Sequence, residues 1–471
     1  MFAGSLTALL LMMFICLALW YTKCSTDFSR LKEEEYDTVF FSMYSTENYE
    51  EADYTHFRGM NIVRTSYAIP DTRIMEIYMD AAVQSGNTIS TAYLGIDPEK
   101  ARVEDVFQIA LENPGIMFEI VLAYPQIEYW LDMDEEAYQN ALEAYRDFAG
   151  NVLGLENVRV YYFNHGEWLV CNPANYIAPF QTNEEVSRLL MCNTDEQHSY
   201  ILNVENFHER FNQAQALVEK YRQEPAEYVN VSEWEIVFFG DSVIGNYQGS
   251  LSIPGVVNGL TKAAVYNLGY GGKCAALCEK TKEPLPVIVE AFINQDFSGI
   301  PKEAQIYAGL EAYSIATQKT AATQGQLPYD GTPDMFVINY GLNDYFNGVP
   351  VDAEDPYDIS SYSGALRTAV KALQEEYPDA QILLLTPNLS INFDFGEGVQ
   401  SEVGGRLQDY ADAVLALAEE LQVEVLDNFR ELPIRKNVYW EFLADGTHPN
   451  EQGRFLMGTR IAKKIESMLT K

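Results

Sequence analysis

The sequence predicts an α/β protein: two tandem three-layer α/β/α sandwich domains with parallel sheets, behind a single N-terminal transmembrane helix. Three observations predict it. Short apolar runs alternate with amphipathic helical stretches, the pattern of parallel α/β units. The alternation comes as two sets of five strands, and strand ends in the second set echo those in the first. An uncharged run, Phe2 to Tyr21, opens the chain.

Composition sets the bounds. A chain of 471 residues, 47% hydrophobic and 13% aromatic, has ample material for packed cores. Its 69 acidic residues outweigh 31 Lys and Arg, for a net charge of −38. A field of that sign repels phosphate backbones, so nucleic acid is not an expected partner. The six cysteines are too sparse for a disulfide-stapled fold. Cys171 with Cys192, and Cys274 with Cys278, are either local disulfides or free thiols. No histidine stands at zinc-ligand spacing from either pair, and no metal or other cofactor is expected.

The elements follow in order. Residues 1–24 read as a transmembrane anchor or uncleaved signal. The run is long enough to cross a bilayer, lacks the basic start and small-residue cut of a signal peptide, and ends in the interfacial pair Trp20 and Tyr21. Its orientation is open. Lys23, Arg30 and Lys32 follow it and no Lys or Arg precedes it, which favours a cytoplasmic bulk. The chemistry below instead suits an extracytoplasmic catalytic part.

Residues 36–222 form the first domain, with strands at Thr38–Phe41, Ile62–Thr65, Ile89–Leu94, Met117–Ala123 and Val158–Phe163. A polar stretch, 223–234, holds Pro225 and serves as the linker. Residues 235–471 form the second domain, with strands at Ile236–Phe239, Ala264–Leu268, Met335–Asn339, Ile382–Thr386 and Val423–Leu426. Helices such as "EEAYQNALEAYRDFAGNVL" and "GGRLQDYADAVLALAEEL" place apolar residues at three- and four-residue spacing, as one buried face requires.

Four echoes join the halves. "VFFSMYSTENY" (39–49) and "VFFGDSVIGNY" (237–247) share their flanking letters. "YLGID" (Tyr93–Asp97) parallels "YGLND" (Tyr340–Asp344), and Pro125 parallels Pro387. "DEQH" (Asp195–His198) parallels "DGTH" (Asp445–His448). Four echoes in one order favour tandem, diverged copies.

The second half also carries chemistry. Ligands of open α/β sheets bind outside the carboxyl ends of the strands, where these motifs fall. Gly240 permits a tight turn and Ser242 is presented just beyond it. The glycines of "NLGYGG" (Asn267–Gly272) let backbone N–H groups approach a bound oxygen, and Asn343 offers a side-chain amide. His448 is the only histidine of this half, and Asp445 stands beside it. A serine hydroxyl is a weak nucleophile until an imidazole accepts its proton, and the imidazole needs a carboxylate to fix its tautomer.

Together "GDS", "NLGYGG", "GLND" and "DGTHPN" resemble the SGNH hydrolases, or GDSL lipase/esterase family, over about half the chain. The resemblance implies an SGNH, flavodoxin-like fold. It implies Ser242 as nucleophile and oxyanion donor, Gly272 (with Gly271 as the alternative) and Asn343 as further donors, His448 as general base and Asp445 as its orienting acid. It also implies an esterase that hydrolyses or transfers O-acyl groups, acetyl above all, on a cell-surface glycan or polymer, with a membrane O-acyltransferase as a partner. The alternative is a non-enzymatic surface-binding or scaffold protein with vestigial folds.

The first half lacks this set. By the shared frame, Tyr44 stands for Ser242 and Ser42 for Gly240; by the second echo, Ile96 stands for Asn343. No glycine occurs in "RTSYAIPDTR" where Gly272 would fall, so this half is expected to be a non-catalytic copy. Its Tyr124, Tyr129, Trp130, Tyr161, Tyr162 and Trp168 either stack on sugar rings or pack the core. The loop Phe393–Gly405 is either a lid or an ordinary polar connection.

Overall fold

The computed structural model describes residues 90–469 apart from 193–199, 226, 303–304, 324–330 and 393–404, together with the backbone of 38–42, 53–57 and 60–68. The expected anchor, Tyr44, Asp195, His198 and the stretch 393–404 lie outside the described residues. Among the described residues no helix is long and apolar enough to cross a membrane.

The first unit comprises the described residues up to Val170, with Tyr176–Thr182 and Leu189–Pro225. Its strands are β1 (Thr38–Ser42), β2 (Asp53–Phe57), β3 (Met60–Ala68), β4 (Thr91–Ile96), β5 (Met117–Leu122), β6 (Val158–Tyr161) and β7 (Ile201–Leu202). They form one sheet in the order β2-β3-β1-β4-β5-β6-β7. The run β3-β1-β4-β5-β6 is parallel, and β2 and β7 join antiparallel at the edges. Ala92, Leu94, Phe118, Ile120, Leu122 and Val160 are buried on one face and Tyr93, Glu119 and Tyr161 on the other, as strands covered on both faces require. Helix α1 (Glu135–Val152) starts where the Asp134 side chain accepts a bond from Ala137 N, and buries Tyr138, Leu142, Tyr145, Phe148 and Val152 along one stripe. The edge strands were not legible in the sequence: "DYTHF" has few aliphatic residues, and β7 is two residues long.

The second unit comprises Ala226–Lys471 with two short stretches of earlier sequence, Cys171–Asn175 and Asn183–Arg188. Inside this unit Ser250 N donates to Glu185 Oε2 at 3.0 Å, and Asn183 Nδ2 donates to Ser250 Oγ at 2.8 Å. Long-range polar pairs of this kind leave no local sequence signal. The strands are β8 (Glu235–Gly240), β9 (Ala264–Gly269), β10 (Met335–Asn339), β11 (Gln381–Leu385) and β12 (Glu424–Leu426). The helices used below are α2 (Ser242–Gly245), α3 (Ile253–Thr261), α4 (Leu285–Asn294), α5 (Leu342–Phe346), α6 (Tyr362–Glu376), α7 (Leu407–Leu421) and α8 (Glu451–Leu469).

The sheet order is β9-β8-β10-β11-β12, parallel throughout. Every residue of β8 is buried, so both of its faces are covered. Among the helices α3 packs on α8, α4 on α6 and α6 on α7. Because β8 lies between β9 and β10, successive connections leave it in opposite directions, and a crevice opens at its carboxyl end. The five parallel strands of the first unit follow the same order, second-first-third-fourth-fifth.

The ladders revise one echo. Gly240 pairs with Asn339, and Ser42, its counterpart by the shared frame, pairs with Gly95. Gly95 therefore stands for Asn339, and Glu99 rather than Ile96 stands for Asn343. "YLGID" begins inside β4, whereas "YGLND" begins after β10 ends. Matching letters had aligned residue types; hydrogen bonding aligns positions.

At the carboxyl end of β5 the first unit is closed by its own hairpin, Tyr176–Ala178 with Gln181–Thr182. Tyr176 OH donates to Tyr124 O at 2.8 Å, Gln126 N donates to Pro179 O at 2.9 Å, and the Phe180 ring meets Tyr129 edge-on at 4.6 Å. Trp130, Tyr161, Tyr162 and Trp168 are core residues and offer no stacking face; Tyr124 and Tyr129 are half-buried. Cys274 and Cys278 are free thiols, with sulfurs 3.6 Å apart.

Candidate active site

The site grows from the end of β8. Asp241 caps α2 by accepting a bond from Val243 N at 2.9 Å, which makes Ser242 the first residue of that helix, just past the strand. Ser242 Oγ lies 2.8 Å from His448 Nε2, and His448 Nδ1 lies 2.7 Å from Asp445 Oδ2. The other carboxylate oxygen of Asp445 accepts from Thr447 N at 2.9 Å and His448 N at 2.8 Å. Partial burial pushes the Asp445 carboxyl up, but these bonds and the His448 ring outweigh it and hold the group below its ordinary value. An ionised Asp445 can only accept. The proton of a neutral His448 therefore sits on Nδ1, and the Nε2 lone pair faces the Ser242 hydroxyl.

The loop that carries Asp445 and His448 is held from one side by the segment after β11. Asn392 Nδ2 donates to Thr447 Oγ1 at 2.6 Å, and Ser390 Oγ lies 2.7 Å from the same oxygen. Asn388 Nδ2 donates to Thr447 O at 3.0 Å, and Ile391 N to Gly446 O at 2.8 Å. Gly446 has φ +84°, and a methyl group there would come within 2.3 Å of Ile391, so the glycine of "DGTH" is required twice over. Sequence reading missed this clamp. Its trace was the alternation Asn388, Ser390, Asn392, polar at every second residue after Pro387.

Asn343 stands in α5, which follows β10 directly. Its Nδ2 is buried and makes no hydrogen bond among the described residues. A buried donor without an acceptor is rare in a folded protein, and here it has the chemistry of a group awaiting an oxyanion. The Asn343 amide lies near enough to Asp241 to help offset that residue's burial, without a bond of normal geometry. Gly272 lies in the turn after β9, at φ +76°, beside Gly271. Gly269, the last residue of β9, pairs with Gly240, so this turn leaves the sheet next to the serine turn.

Two buried carboxylates complete the surroundings. Burial pushes Asp241 up to about 6, against a bond from Val243 N and the nearby His448. Burial pushes Asp344 up to about 7, against bonds from Ala275 N at 2.9 Å and Ala276 N at 3.0 Å. Asp344 thereby fixes the backbone just beyond Gly272. The structure thus joins Ser242, His448 and Asp445 in one hydrogen-bonded chain, and sets Asn343 in the helix after β10 and Gly272 in the turn after β9, the two strands that flank β8.

The profile of the GDSL-like Lipase/Acylhydrolase family matches residues 238–454. A GDSL esterase/lipase from Arabidopsis thaliana is 26% identical over 146 residues, or 29% of this chain, and the chain spans 59% of that relative's length. Among solved structures, a possible lipase from Chitinophaga pinensis is 17% identical and covers 51% of this chain and 100% of its own, with a TM-score of 0.33. A lipase/acylhydrolase from Enterococcus faecalis is 19% identical and covers 50% of this chain and 96% of its own, with a TM-score of 0.30. Residues 238–454 belong to the GDSL-like lipase/acylhydrolase family.

Proposed function

We propose that the second unit is a serine esterase or acyltransferase that works through an acyl-Ser242 intermediate. The contact chain Ser242–His448–Asp445 carries the reading. Ser242 Oγ attacks the ester carbonyl while His448 Nε2 takes its proton, and Asp445 stabilises the imidazolium. The oxyanion meets Asn343 Nδ2, Ser242 N and Gly272 N. The alcohol leaves with the proton held by His448. The acyl-enzyme then passes its acyl group to water or to a sugar hydroxyl, the two outcomes of one intermediate.

The substrate we infer is an O-acetylated cell-surface glycan or polymer. We place the enzyme at a membrane through Phe2–Tyr21, with its catalytic part outside the cytoplasm and a membrane O-acyltransferase as the natural acyl source. The first unit we read as a diverged, non-catalytic copy. The shared strand order, Glu99 in the register of Asn343, and the hairpin over its strand ends support that reading.

The test offers acetylated and bare oligosaccharides, each with and without an acyl donor, to the full chain and to Ser242→Ala. Acetate release from the acetylated sugar identifies a hydrolase, and acetyl gain by the bare sugar identifies a transferase. Turnover by neither route, or turnover equal in Ser242→Ala, rejects the reading.

A further inference from the structure

The triad is assembled from two distant pieces of chain. Asp445 and His448 share one loop, so their contact is local. Among the described residues the hydrogen bond that crosses between the serine segment and the histidine loop is the one from Ser242 to His448, and its 2.8 Å depends on how those two segments are held together. The clamp after β11 grips the loop at Gly446 and Thr447, and among the described residues none of these hydrogen bonds reaches the serine segment.

We propose that Arg454 is the positioning residue that sets this distance, an inference that rests on the acyl-serine reading above. Arg454 lies in α8 and is 1% exposed. Its Nη1 donates to the carbonyl of Pro449, the neighbour of His448, at 2.8 Å. Its Nε donates to the carbonyl of Leu251, in the segment leading from the serine helix to α3, at 2.6 Å. Its guanidinium carbon lies 3.5 Å from the ring centre of Tyr247 in the same segment, and Nη2 lies 3.5 Å from Glu451 Oε1. One planar group therefore binds the histidine loop and the serine segment at once.

The chemistry suits registry better than stability. A buried cation with one carboxylate at 3.5 Å is poorly neutralised, and an apolar side chain of similar volume would avoid the desolvation cost. What only arginine supplies is a rigid fork that reaches two carbonyls in fixed directions while its face rests on an aromatic ring. Lysine keeps the charge but, as a point donor, cannot hold both carbonyls in that geometry.

The experiment uses the full chain, p-nitrophenyl acetate as the ester, and a fluorophosphonate to report serine reactivity. Arg454→Lys and Arg454→Met are each followed by thermal melting, kcat, KM, inactivation rate and pH profile. In the folded variants kcat and the inactivation rate fall together by about ten- to a hundred-fold, the cost of a misplaced reacting group. KM stays near its original value. The acid limb of the pH profile keeps its midpoint, because the Asp445–His448 contact lies within one loop and survives.

Tyr247→Leu removes the ring from a half-buried site and leaves both carbonyl bonds in place. It lowers kcat in the same pattern by about three-fold, the worth of a modest cation–π contact. The proposal is overturned if folded Arg454→Lys keeps full kcat, or if the acid limb moves with the plateau. Where neither Arg454 variant folds, an unchanged kcat in Tyr247→Leu overturns it. Failure of the acyl-serine reading is a separate result: the wild-type chain would then show no Ser242-dependent hydrolysis at all.

Discussion

In both units a proline follows the fourth parallel strand, Pro125 after β5 and Pro387 after β11. Beyond Pro125 the chain is closed over by the Tyr176–Thr182 hairpin, with Phe180 against Tyr129 and Tyr176 bonded to Tyr124 O. Beyond Pro387 the chain becomes Asn388–Asn392, which grips the loop of Asp445 and His448 at Gly446 and Thr447. The strand order is the same and the use of the strand ends is opposite. A parallel sheet fixes where a site can lie, and the loops decide whether the place is filled by the protein or left for a substrate.

The largest expected effect breaks the working half. Ser242→Ala and His448→Ala each lower kcat by about four to six orders of magnitude, and the double variant loses little more, because the groups act as a unit. Ester hydrolysis measured on the three proteins checks this; additive losses would show that the two groups act separately. Asn343→Ala comes next. Removal of one oxyanion donor lowers kcat by about a hundred- to a thousand-fold with KM nearly unchanged. A KM effect alone would place Asn343 in ground-state binding.

A smaller effect concerns pH and stability. Burial raises folded Asp241 to about 6 and Asp344 to about 7, from an ordinary 3.8. The folded state then binds protons more tightly than the unfolded chain, so this contribution is complete below pH 3.8 and is lost as pH rises through 6 to 7. Urea midpoints taken from pH 5 to pH 8 should fall, and Asp344→Asn should flatten the slope. Stability that rises over that interval would contradict the assignment.

The smallest effect tests the closed half. Phe180→Ala should cost about 1–2 kcal/mol of stability through lost aromatic packing and leave ester hydrolysis by the full chain unchanged. A loss of hydrolysis with unchanged stability would tie the first unit to catalysis.

How legible all this was in the sequence depended on range. The ten parallel strands announced themselves because strands of a parallel sheet are short apolar runs, and the motif letters at their ends because turns demand glycine, aspartate and serine in particular places. β2 escaped because "DYTHF" is polar, and the register of β1 on β4 escaped because letters alone cannot distinguish Ile96 from Glu99 as the partner of Asn343. Asp344 on Ala275 and Ala276, and Arg454 on Leu251, are pairings of a buried ionisable side chain with distant backbone. No local pattern encodes them; only the fold brings the partners together.

The most direct measurement is the mass of the full chain after treatment with a fluorophosphonate, followed by mapping of the modified peptide. The account predicts one adduct per chain, on Ser242, and none on Ser242→Ala. An unmodified wild-type chain, an adduct on the first unit, or equal labelling of Ser242→Ala would contradict it.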